Sequence, residues 1–447
     1  MNARLSLFIY NLLFPLAFLA MLPNLLMRMT RRGNYRHKFA QRFGFYDREV
    51  LARLAPEGRP EHGGRTWIHS ISVGETFLAL KLARKMKSLD PSLKAVLSVT
   101  TSTGFALADK SASDWLEVIY NPIDGLPFVQ RTLGIIRPVR LIFIEAMWPN
   151  LLLGAKKRGI PIAMIPRLSE RSGQRFAKFR FLTGGFFGAI DCLCAQEPED
   201  VPRLEAVGAD PAKIHVTGGI KFDYSEDAPS TRAAEFRALL RSLNVPGDSP
   251  VLLAGSTFPG EEILLARMLI ELREQFPGLI LILVPRHVER TPAILEELQP
   301  LGLQVALRTK PASDTETVKP DCLIVDTTGE LRDWYYAGDV IFIGKSLDTY
   351  GGQNPAEAAA AGKPILFGPH MENFKNIVHL LIDHGAAVQV TDIDELKKEV
   401  AKLFADPALR AKMSANAPQA LAPHQGATAR AAALLLKLNA NTHTPGE

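Results

Sequence analysis

The sequence predicts an α/β protein with two Rossmann-like domains that face one another across a cleft, preceded by an N-terminal apolar anchor helix. The chain has 447 residues, more than one hydrophobic core normally supports, so two domains are expected. Short apolar runs rich in β-branched residues alternate with amphipathic stretches, which is typical of parallel strands joined by crossover helices. Apolar residues make up 47% of the chain and charged residues 22%, which excludes a disordered or fibrous protein.

Residues 1–44 are predicted to form a membrane anchor and a basic juxtamembrane segment. The net charge of +5 is local, because residues 1–42 hold seven basic and no acidic side chains and the other 405 residues carry −2. Nucleic acid is therefore not an expected partner. The stretch from Leu5 to Met27 contains no charge, and a helix of this length reaches about 34 Å, enough to cross a bilayer core. The basic residues that follow it predict a body on the cytoplasmic face of the inner membrane.

Two other arrangements of this N-terminal stretch remain open. Pro15 and Pro23 interrupt it, so an apolar helix lying in the membrane interface is an alternative to the preferred spanning helix. A buried core helix is the third possibility, and it is disfavoured because such helices seldom lack charges over this length. The stretch ends in Met-Leu-Pro-Asn-Leu-Leu-Met-Arg rather than small residues, which argues against a cleaved signal peptide.

Residues 45–225 are predicted to form the first α/β domain and residues 226–430 the second, followed by a tail at 431–447. Polar segments that contain proline, at 224–230 and 244–250, mark the boundary. Strands in the first domain are predicted at 67–71, 95–99, 117–120, 140–144, 160–165, 192–195 and 214–217. Strands in the second are predicted at 251–254, 279–284, 304–307, 322–325, 340–343, 364–367 and 387–390. Ligands of such sheets bind at the carboxyl ends of strands, so the loops there are the places to seek chemistry.

The chain has three cysteines, Cys192, Cys194 and Cys322. Three thiols make no disulfide framework, which fits a reducing compartment. No group of His, Cys, Asp or Glu has the spacing of metal ligands. We therefore expect neither a metal nor another cofactor.

The first candidate site follows the first predicted strand, at Ser72-Val-Gly-Glu75. Gly74 permits close approach of a ligand, and Glu75 lies at or near the N-terminus of the next helix. From position alone, a carboxylate that stabilises the first helical turn is a more common interpretation than a catalytic one.

Two strand ends of the second domain offer groups that suit a phosphate. The backbone of Ala254-Gly-Ser-Thr257, assisted by the Ser256 and Thr257 hydroxyls, can cradle an anion, although a capped strand-to-helix turn explains it equally well. Arg286 ends the next strand and supplies a bidentate donor. Two donor loops at one sheet edge favour an anion site more than either alone.

Two further loops of the second domain have a similar character. In Gly351-Gly-Gln-Asn-Pro-Ala-Glu357 the glycines allow the backbone near a ligand, and Asn354 and Glu357 suit ribose hydroxyls. The same Asn-x-x-Glu spacing also predicts a helix cap. Asp326-Thr-Thr-Gly-Glu330 is the other loop.

The basic cluster that contains Arg167 and Arg171 lies in the first domain. Such a cluster is usually a solvated helix face, but beside a cleft it would suit an anionic acceptor.

In this order, the loops resemble the 3-deoxy-D-manno-octulosonic acid (Kdo) transferases of lipopolysaccharide assembly. The motifs that carry the resemblance are Trp67-Ile-His-Ser-Ile-Ser-Val-Gly-Glu75, Trp148-Pro-Asn150, Arg167-Leu-Ser-Glu-Arg-Ser172, Lys221-Phe-Asp223, Ala254-Gly-Ser-Thr257, Pro285-Arg-His287, Asp326-Thr-Thr-Gly-Glu-Leu331, Gly351-Gly-Gln-Asn-Pro-Ala-Glu357 and Phe367-Gly-Pro-His-Met-Glu-Asn-Phe374. Each motif is weak alone, but the ordered set is specific.

The resemblance implies a glycosyltransferase-B fold, CMP-Kdo as donor, a lipid A precursor as acceptor, transfer with inversion and no metal. It implies that Glu75 is the general base and that Glu145 belongs to the catalytic motif. The implied donor-binding residues are Lys221, Ser256, Thr257, Arg286, Gly329, Glu330, Gly351, Gly352, Asn354 and Glu357. The implied acceptor-binding residues are Ser72, Gly74, Arg167 and Arg171.

Four places depart from the family pattern. The segment Ile144-Glu-Ala-Met-Trp-Pro149 has one acidic residue where two are usual, so the role of Glu145 is open. Lys345 replaces a usual glycine, Gln353 a usual histidine and Gly219 a usual asparagine. Two alternatives therefore accompany the main hypothesis: a transferase of the same fold with another nucleotide sugar or acceptor, or a membrane-anchored paralogue with altered catalysis.

Overall fold

The computed structural model describes residues 3–31, 38–54, 64–168, 170–224, 232–310 and 319–438. The chain divides into two compact units. The first combines Met1–Asp223 with Gly426–Glu447, and the second is Tyr224–Gln425. The crossing after Asp223 lies close to the boundary expected at residue 225. The cleft expected between the domains remains a prediction.

The first unit contains a parallel seven-stranded sheet with the order β3-β2-β1-β4-β5-β6-β7. Its strands are β1 (Thr66–His69), β2 (Ala95–Val99), β3 (Leu116–Tyr120), β4 (Arg140–Glu145), β5 (Ile162–Pro166), β6 (Cys192–Ala195) and β7 (Ile214–Val216). Each corresponds to a predicted strand. Residues of both orientations along β1, β2 and β3 are buried, which explains why these strands are continuous apolar runs instead of alternating ones.

Helices of the first unit precede and connect these strands. They are α1 (Ala3–Arg31), α2 (Arg48–Leu54), α3 (Val73–Leu89), α4 (Ser102–Asp109), α5 (Leu126–Ile136), α6 (Pro149–Lys157), α7 (Glu170–Lys178), α8 (Arg180–Phe187) and α9 (Asp200–Ala206), with 3₁₀ turns at Phe39–Phe43, Pro211–Lys213 and Ile220–Phe222. Local sequence sets several starts. Ser72 and Thr101 cap α3 and α4 through their hydroxyls, and proline opens α6.

The second unit contains another parallel seven-stranded sheet, with the order β10-β11-β9-β8-β12-β13-β14. Its strands are β8 (Val251–Thr257), β9 (Ile280–Pro285), β10 (Val305–Leu307), β11 (Cys322–Ile324), β12 (Val340–Ile343), β13 (Ile365–Phe367) and β14 (Ala387–Gln389). The central strand β8 pairs with β9 and β12. Its polar end therefore lies beside the ends of both neighbours.

Helices of the second unit are α10 (Ala233–Ser242), α11 (Glu261–Leu272), α12 (Thr291–Leu298), α13 (Leu331–Trp334), α14 (Ala356–Ala360), α15 (Lys375–Asp383), α16 (Ile393–Ala405) and α17 (Pro407–Ala420). Short 3₁₀ turns lie at Val288–Arg290, Gln299–Leu301, Glu372–Phe374 and Ala422–His424. A buried core of strand and helix side chains, including Leu252, Leu281 and Phe342, lies within this unit. Free, buried cysteines lie in both sheets.

The last helix, α18 (Ala427–Leu436), belongs to the first unit. The boundaries predicted from sequence place its beginning in the second domain and its end in the tail. In the structure α18 packs against α3, and the carboxylate of Asp223 accepts hydrogen bonds from the backbone N–H groups of Gly426 at 3.0 Å and Thr428 at 2.8 Å. Asp223 thereby satisfies donors at the N-terminus of α18 across a separation of more than 200 residues.

The N-terminal helix α1 packs against α6 and α8 of the first unit. Asn11 and Asn150 exchange side-chain hydrogen bonds at 3.0 and 2.8 Å. The side chains of Phe8, Leu12 and Leu16 point outward and are 64–65% exposed. Within the described ranges, no helix has the length and apolar character that crossing a membrane requires. The preferred spanning arrangement is therefore not found.

Candidate active site

The turn between β1 and α3 places Glu75 at the carboxyl edge of the first sheet. The Ser72 hydroxyl accepts a hydrogen bond from the Glu75 N–H at 3.2 Å, and the Glu75 carboxylate accepts one from the Ile71 N–H at 2.7 Å. This is reciprocal capping of a helix start. Glu75 therefore stabilises the first turn of α3, as one of the two interpretations of the sequence predicts. The capping also holds the carboxylate in one orientation, with 8% of the residue exposed.

The second carboxylate, Glu145, ends β4, the strand next to β1. Its φ of 59° lies in the left-handed region, which costs a residue other than glycine about 1–3 kcal/mol. Burial raises the pKa of Glu75, hydrogen bonds from Ile71 and Ser72 oppose this, and the charge of Glu145 raises it further. Burial likewise raises the pKa of Glu145. Glu75, in the first turn of the helix after β1, and Glu145, at the end of the adjacent strand β4, therefore lie at the same sheet edge.

Two basic side chains act on Glu145. The charges of Arg167 and Lys221 lower the pKa of Glu145, partly offsetting its burial. Arg167 follows Pro166, the β5 partner of Glu145 in the sheet register, which explains its position. Lys221 lies in the 3₁₀ turn Ile220–Phe222 of the first unit. Its predicted donor contact remains a prediction. Arg171 lies in α7, and its side chain is outside the described part.

Gly74 has free space around it. A Cβ added there would meet only the Ser72 hydroxyl oxygen, at 3.9 Å. Its φ is not among the positive values, so neither packing nor backbone geometry requires glycine. Gly74 is exposed, and a glycine at this position leaves room for a ligand beside Glu75.

Sequence reasoning missed Asn121, which follows β3. Its side-chain NH₂ donates to the Ser70 carbonyl at 2.6 Å and to the Thr100 hydroxyl at 2.7 Å. These bonds connect the ends of three strands behind the Glu75 turn. The only signal was a polar residue at a strand end. His69, in β1, is fully buried, and its ring nitrogens have no hydrogen-bond partner among the described residues. It contacts the rings of Phe143 and Trp148 instead, and burial lowers its pKa to about 3.

In the second unit, the end of β8 has an irregular backbone. The register shifts between Gly255 and Thr257, and Ser256 has a φ of 57°. The Thr257 hydroxyl donates to Glu262 at 2.9 Å, and Arg290 forms an ion pair with the same carboxylate at 2.8 Å. Glu262 is completely buried, so this arrangement stabilises the loop. The Thr257 hydroxyl is thus already hydrogen-bonded within the protein.

Glu261 connects this loop to the one after β12, a role that the sequence analysis did not identify. Its carboxylate accepts backbone hydrogen bonds from Phe258 at 2.9 Å, Lys345 at 2.7 Å, Ser346 at 2.9 Å and Leu347 at 3.3 Å. Burial raises its pKa, and these four bonds lower it. A Glu in the first turn of an amphipathic helix gave no sequence signal for this long-range contact.

Lys345 has a φ of 58°, and this left-handed conformation explains why the family pattern has glycine there. Its ammonium group lies 5.2 Å from the centre of the Phe258 ring. Arg286, after β9, is exposed and donates its backbone N–H to the Thr257 carbonyl at 3.1 Å. The strand ends of β8, β9 and β12 thus carry two cationic side chains close to the Ser256 turn.

Glu330 takes part in an ion network of the second unit. It accepts hydrogen bonds from Arg232 at 2.6 Å and from Thr327 at 2.5 Å, and Arg308 lies 3.5 Å away. Burial raises the pKa of Glu330, but these bonds and charges outweigh it and hold the pKa below its usual value. The neighbouring Gly329, with a φ of 83°, has open space where a Cβ would lie.

The remaining predicted donor residues surround the start of α14. Gly351 and Gly352 have φ values of 111° and 65° and pack tightly against Asn373 and Met371, so backbone and packing already require glycine. The Asn354 side chain accepts the Ala356 N–H at 3.2 Å and donates to the Tyr224 hydroxyl at 3.3 Å. Glu357 lies in the first turn of α14.

These placements bring Glu75, Glu145, Arg167 and Lys221 together in the first unit. They bring Ser256, Thr257, Arg286 and Lys345 together in the second. The structure shows no group of three or more His, Cys, Asp or Glu side chains arranged for a metal within its described ranges.

Comparison with known proteins gives relatives over nearly the whole chain. The family described as 3-Deoxy-D-manno-octulosonic-acid transferase (kdotransferase) matches residues 37–224. A 3-deoxy-D-manno-octulosonic acid transferase of Bordetella pertussis is 32% identical over 90% of this chain and 92% of its own. The protein of that name from Haemophilus influenzae is 29% identical over 91% of this chain and 92% of its own.

Solved structures share the fold at low identity. A putative UDP-N-acetylglucosamine 2-epimerase from Listeria monocytogenes is 15% identical, with a TM-score of 0.56 over 82% of this chain and 94% of its own. Anabaena Alr3699/HepE, in complex with UDP and glucose, is 14% identical, with a TM-score of 0.54 over 84% of this chain and 99% of its own. These likenesses establish a glycosyltransferase-B-like α/β fold and nothing about substrate.

Proposed function

Because the chain belongs to the 3-deoxy-D-manno-octulosonic acid transferase family, we propose that it transfers Kdo from CMP-Kdo to a lipid A precursor, with Glu75 as the general base. The observation that carries the residue assignment is the position of the Glu75 carboxylate, held by the Ile71 N–H at the carboxyl edge of the first sheet, where the neighbouring strand β4 ends in Glu145. Catalytic bases work best with a pKa near the operating pH, and burial together with a like charge moves a carboxyl in that direction.

The proposed reaction forms one bond, breaks another and transfers a proton to Glu75. The acceptor hydroxyl oxygen forms a bond to the anomeric carbon of Kdo, and the bond from that carbon to the CMP phosphate oxygen breaks. The hydroxyl proton passes to Glu75, whose orientation is maintained by the Ile71 N–H and Ser72. Attack on the face opposite the departing phosphate inverts the anomeric centre.

Groups that suit the acceptor and the donor lie in different units. The charge of Arg167 lowers the pKa of Glu145, and the same side chain supplies positive charge for an anionic acceptor. Arg286 and the backbone at Ser256 and Thr257 suit the CMP phosphate, because charged donors and oriented N–H groups stabilise the charge that develops on a leaving phosphate. Lys345 adds a second cation at this edge, which favours a phosphate contact.

The experiment that tests the function uses the purified full chain with CMP-Kdo and a lipid A precursor. We expect Kdo-modified lipid from the wild type and a loss of product in Glu75→Gln. Glu49→Gln serves as the control, because Glu49 is an exposed carboxylate in the first turn of α2. Wild-type transfer from another nucleotide sugar, without transfer from CMP-Kdo, would contradict the donor assignment. Thermal stabilisation by UDP and not by CMP would contradict it too.

We further propose that the protein lies on the cytoplasmic face of the inner membrane through an interfacial helix. The outward face of α1 is apolar, and Phe179 and Phe181 at the start of α8 are 44% and 56% exposed. Lys178 and Arg180 are exposed in the same segment and suit anionic headgroups. Flotation with anionic vesicles is expected to recover the wild type and less of the double variant Phe179→Ser, Phe181→Ser. Equal recovery of both would contradict this surface.

A further inference from the structure

An apolar groove lies between α1 and the segment that leads into α5. Its volume is about 740 Å³, within the usual range for small-ligand sites. Leu7, Phe14 and Phe18 of α1 form one wall, and Ile123, Leu126 and Phe128 form the other. Every residue of the groove lies in the first unit.

The groove has defined walls. Phe43 and Phe128 meet edge to face with ring centres 5.2 Å apart. The Asp124 carboxylate, between two wall residues, accepts the N–H groups of Asn150 and Leu151 at the start of α6 at 3.1 and 3.0 Å. Together with the paired amides of Asn11 and Asn150, these bonds hold the N-terminal helix at a set distance from α5.

The lining determines the chemistry of the occupant. None of the described residues that line the groove carries a charge, and the polar one, Asn11, already bonds to Asn150. A sugar or phosphate would lose its hydration there without gaining partners, which is unfavourable. A hydrocarbon chain would lose only contact with water, which is favourable. The groove therefore fits an acyl chain.

The position of the groove relative to Glu75 indicates that the acyl chain belongs to the acceptor. Ile123 in the wall is two residues from Asn121, whose side chain donates to the Ser70 carbonyl at 2.6 Å. Ser70 precedes Ile71, whose N–H donates to the Glu75 carboxylate at 2.7 Å. A short run of bonded residues thus connects the groove to the proposed base, at the carboxyl edge of one sheet. A lipid whose sugar hydroxyl reaches Glu75 would have its chains on this side.

We propose that this groove binds an acyl chain of the lipid acceptor and so selects acylated acceptors. The inference rests on the proposed function, because it takes the acceptor to be a glycolipid. The exposed side chains Phe8, Leu12 and Leu16 continue the apolar surface along α1. They provide a path for the acceptor's chains between a membrane and the groove.

A chain-length series measures the contribution of the groove. Each methylene buried in an apolar site strengthens binding about fourfold, so removing two methylenes from the acceptor chains should raise the KM of the wild type about tenfold or more. Leu126→Trp places a larger side chain in the groove and should abolish this dependence. Leu89→Trp is the matched control, because Leu89 and Leu126 are both 47% exposed and Leu89 lies at the far end of α3.

A deacylated disaccharide acceptor separates the groove from the chemistry. We expect kcat/KM for this acceptor to be unchanged in Leu126→Trp, while KM for the acylated acceptor rises at least tenfold. An equal fall for both acceptors, or an unaltered chain-length dependence, would overturn the proposal. Failure of the wild type to modify any acceptor would instead overturn the proposed function.

Photocrosslinking tests the site in the unsubstituted protein and so does not depend on the folding of a variant. An acceptor with a diazirine at its acyl terminus should label residues within 7–18 or 123–128, and unlabelled acceptor should reduce the labelling. Labelling elsewhere on the chain would contradict the groove. Labelling by a diazirine phosphatidylglycerol that unlabelled acceptor fails to displace would identify a bilayer lipid as the occupant and overturn the proposal.

Discussion

Replacing Glu75 by glutamine distinguishes its catalytic role from its role as a helix cap. The glutamine carbonyl can still accept the Ile71 N–H that now lies 2.7 Å from the carboxylate. Loss of the charge at the helix N-terminus costs about 0.3–1 kcal/mol, and release from burying a charge offsets part of it. We therefore expect the free energy of unfolding to change by less than about 1 kcal/mol. Activity should fall by about 10²–10⁴-fold, because a general base typically contributes that much.

A second helix of the same chain supplies the control. In α16 the Asp392 carboxylate caps the Glu395 N–H at 2.9 Å, and Glu395 accepts the Thr391 N–H at 2.7 Å. This capping repeats the pattern at Ser72 and Glu75. The hydrogen bonds from Thr391 lower the pKa of Glu395, whereas burial raises that of Glu75. Glu395→Gln should therefore alter capping alone and leave kcat/KM unchanged.

The pH profile gives an independent test of the base. Glu75 accepts a proton only when ionised, so kcat/KM should rise with pH through a pKa above the ordinary value of 4.5. Glu145→Gln removes a charge that raises this pKa, so the acidic limb should move to lower pH. Single-turnover rates in Glu75→Gln within tenfold of the wild type would refute the reasoning. An equal loss in Glu395→Gln would refute it as well.

Three further substitutions test other parts of the structure. Gly74→Ala should leave stability unchanged or raise it by up to about 1 kcal/mol, since a Cβ fits there. Because the added methyl group would occupy the space of a ligand beside Glu75, kcat/KM should fall at least tenfold. Unimpaired kinetics would show that no ligand approaches this glycine. Glu261→Gln should destabilise the protein by about 2–5 kcal/mol in denaturant unfolding. A single amide carbonyl cannot accept the four N–H groups that the wild-type carboxylate accepts. A change in the free energy of unfolding under about 1 kcal/mol would contradict this. Burial raises the pKa of Asp124 from 3.8 to about 7. Between these values the folded state keeps a proton that the unfolded state loses, so the stability contributed by this group falls as pH rises. Asp124→Asn should therefore flatten the dependence of Tm on pH between 4 and 7, and an unchanged slope would contradict the assignment.

Strands and loops followed from the sequence because their signals are local. All fourteen observed strands overlap predicted ones, since continuous β-branched runs such as Leu279–Val284 suit strands buried on both faces. The residues of the candidate sites were also visible, because polar and glycine-containing segments after apolar runs mark the carboxyl ends of strands. The resemblance of the ordered motifs to Kdo transferases led to the family that the comparisons establish.

The prediction of a membrane-spanning helix shows where the local signal was insufficient. The uncharged stretch from Leu5 to Met27 was interpreted by its length and composition alone. The contacts that hold α1 come from residues more than 100 positions away, including Asn150. A sequence pattern contains no information on which of several apolar surfaces will meet such a helix.

Local sequence was enough to predict the two α/β units, their strands and the polar loops, because hydrophobic periodicity and capping depend on residues close together in the chain. Which of those residues meet depends on the folded arrangement of the whole unit. The adjacency of β1 and β4 brings Glu75 and Glu145 together, Asp223 holds α18 on the first unit, and Glu261 joins two loops. These contacts depend on strand order and packing between distant segments, which a local pattern does not specify.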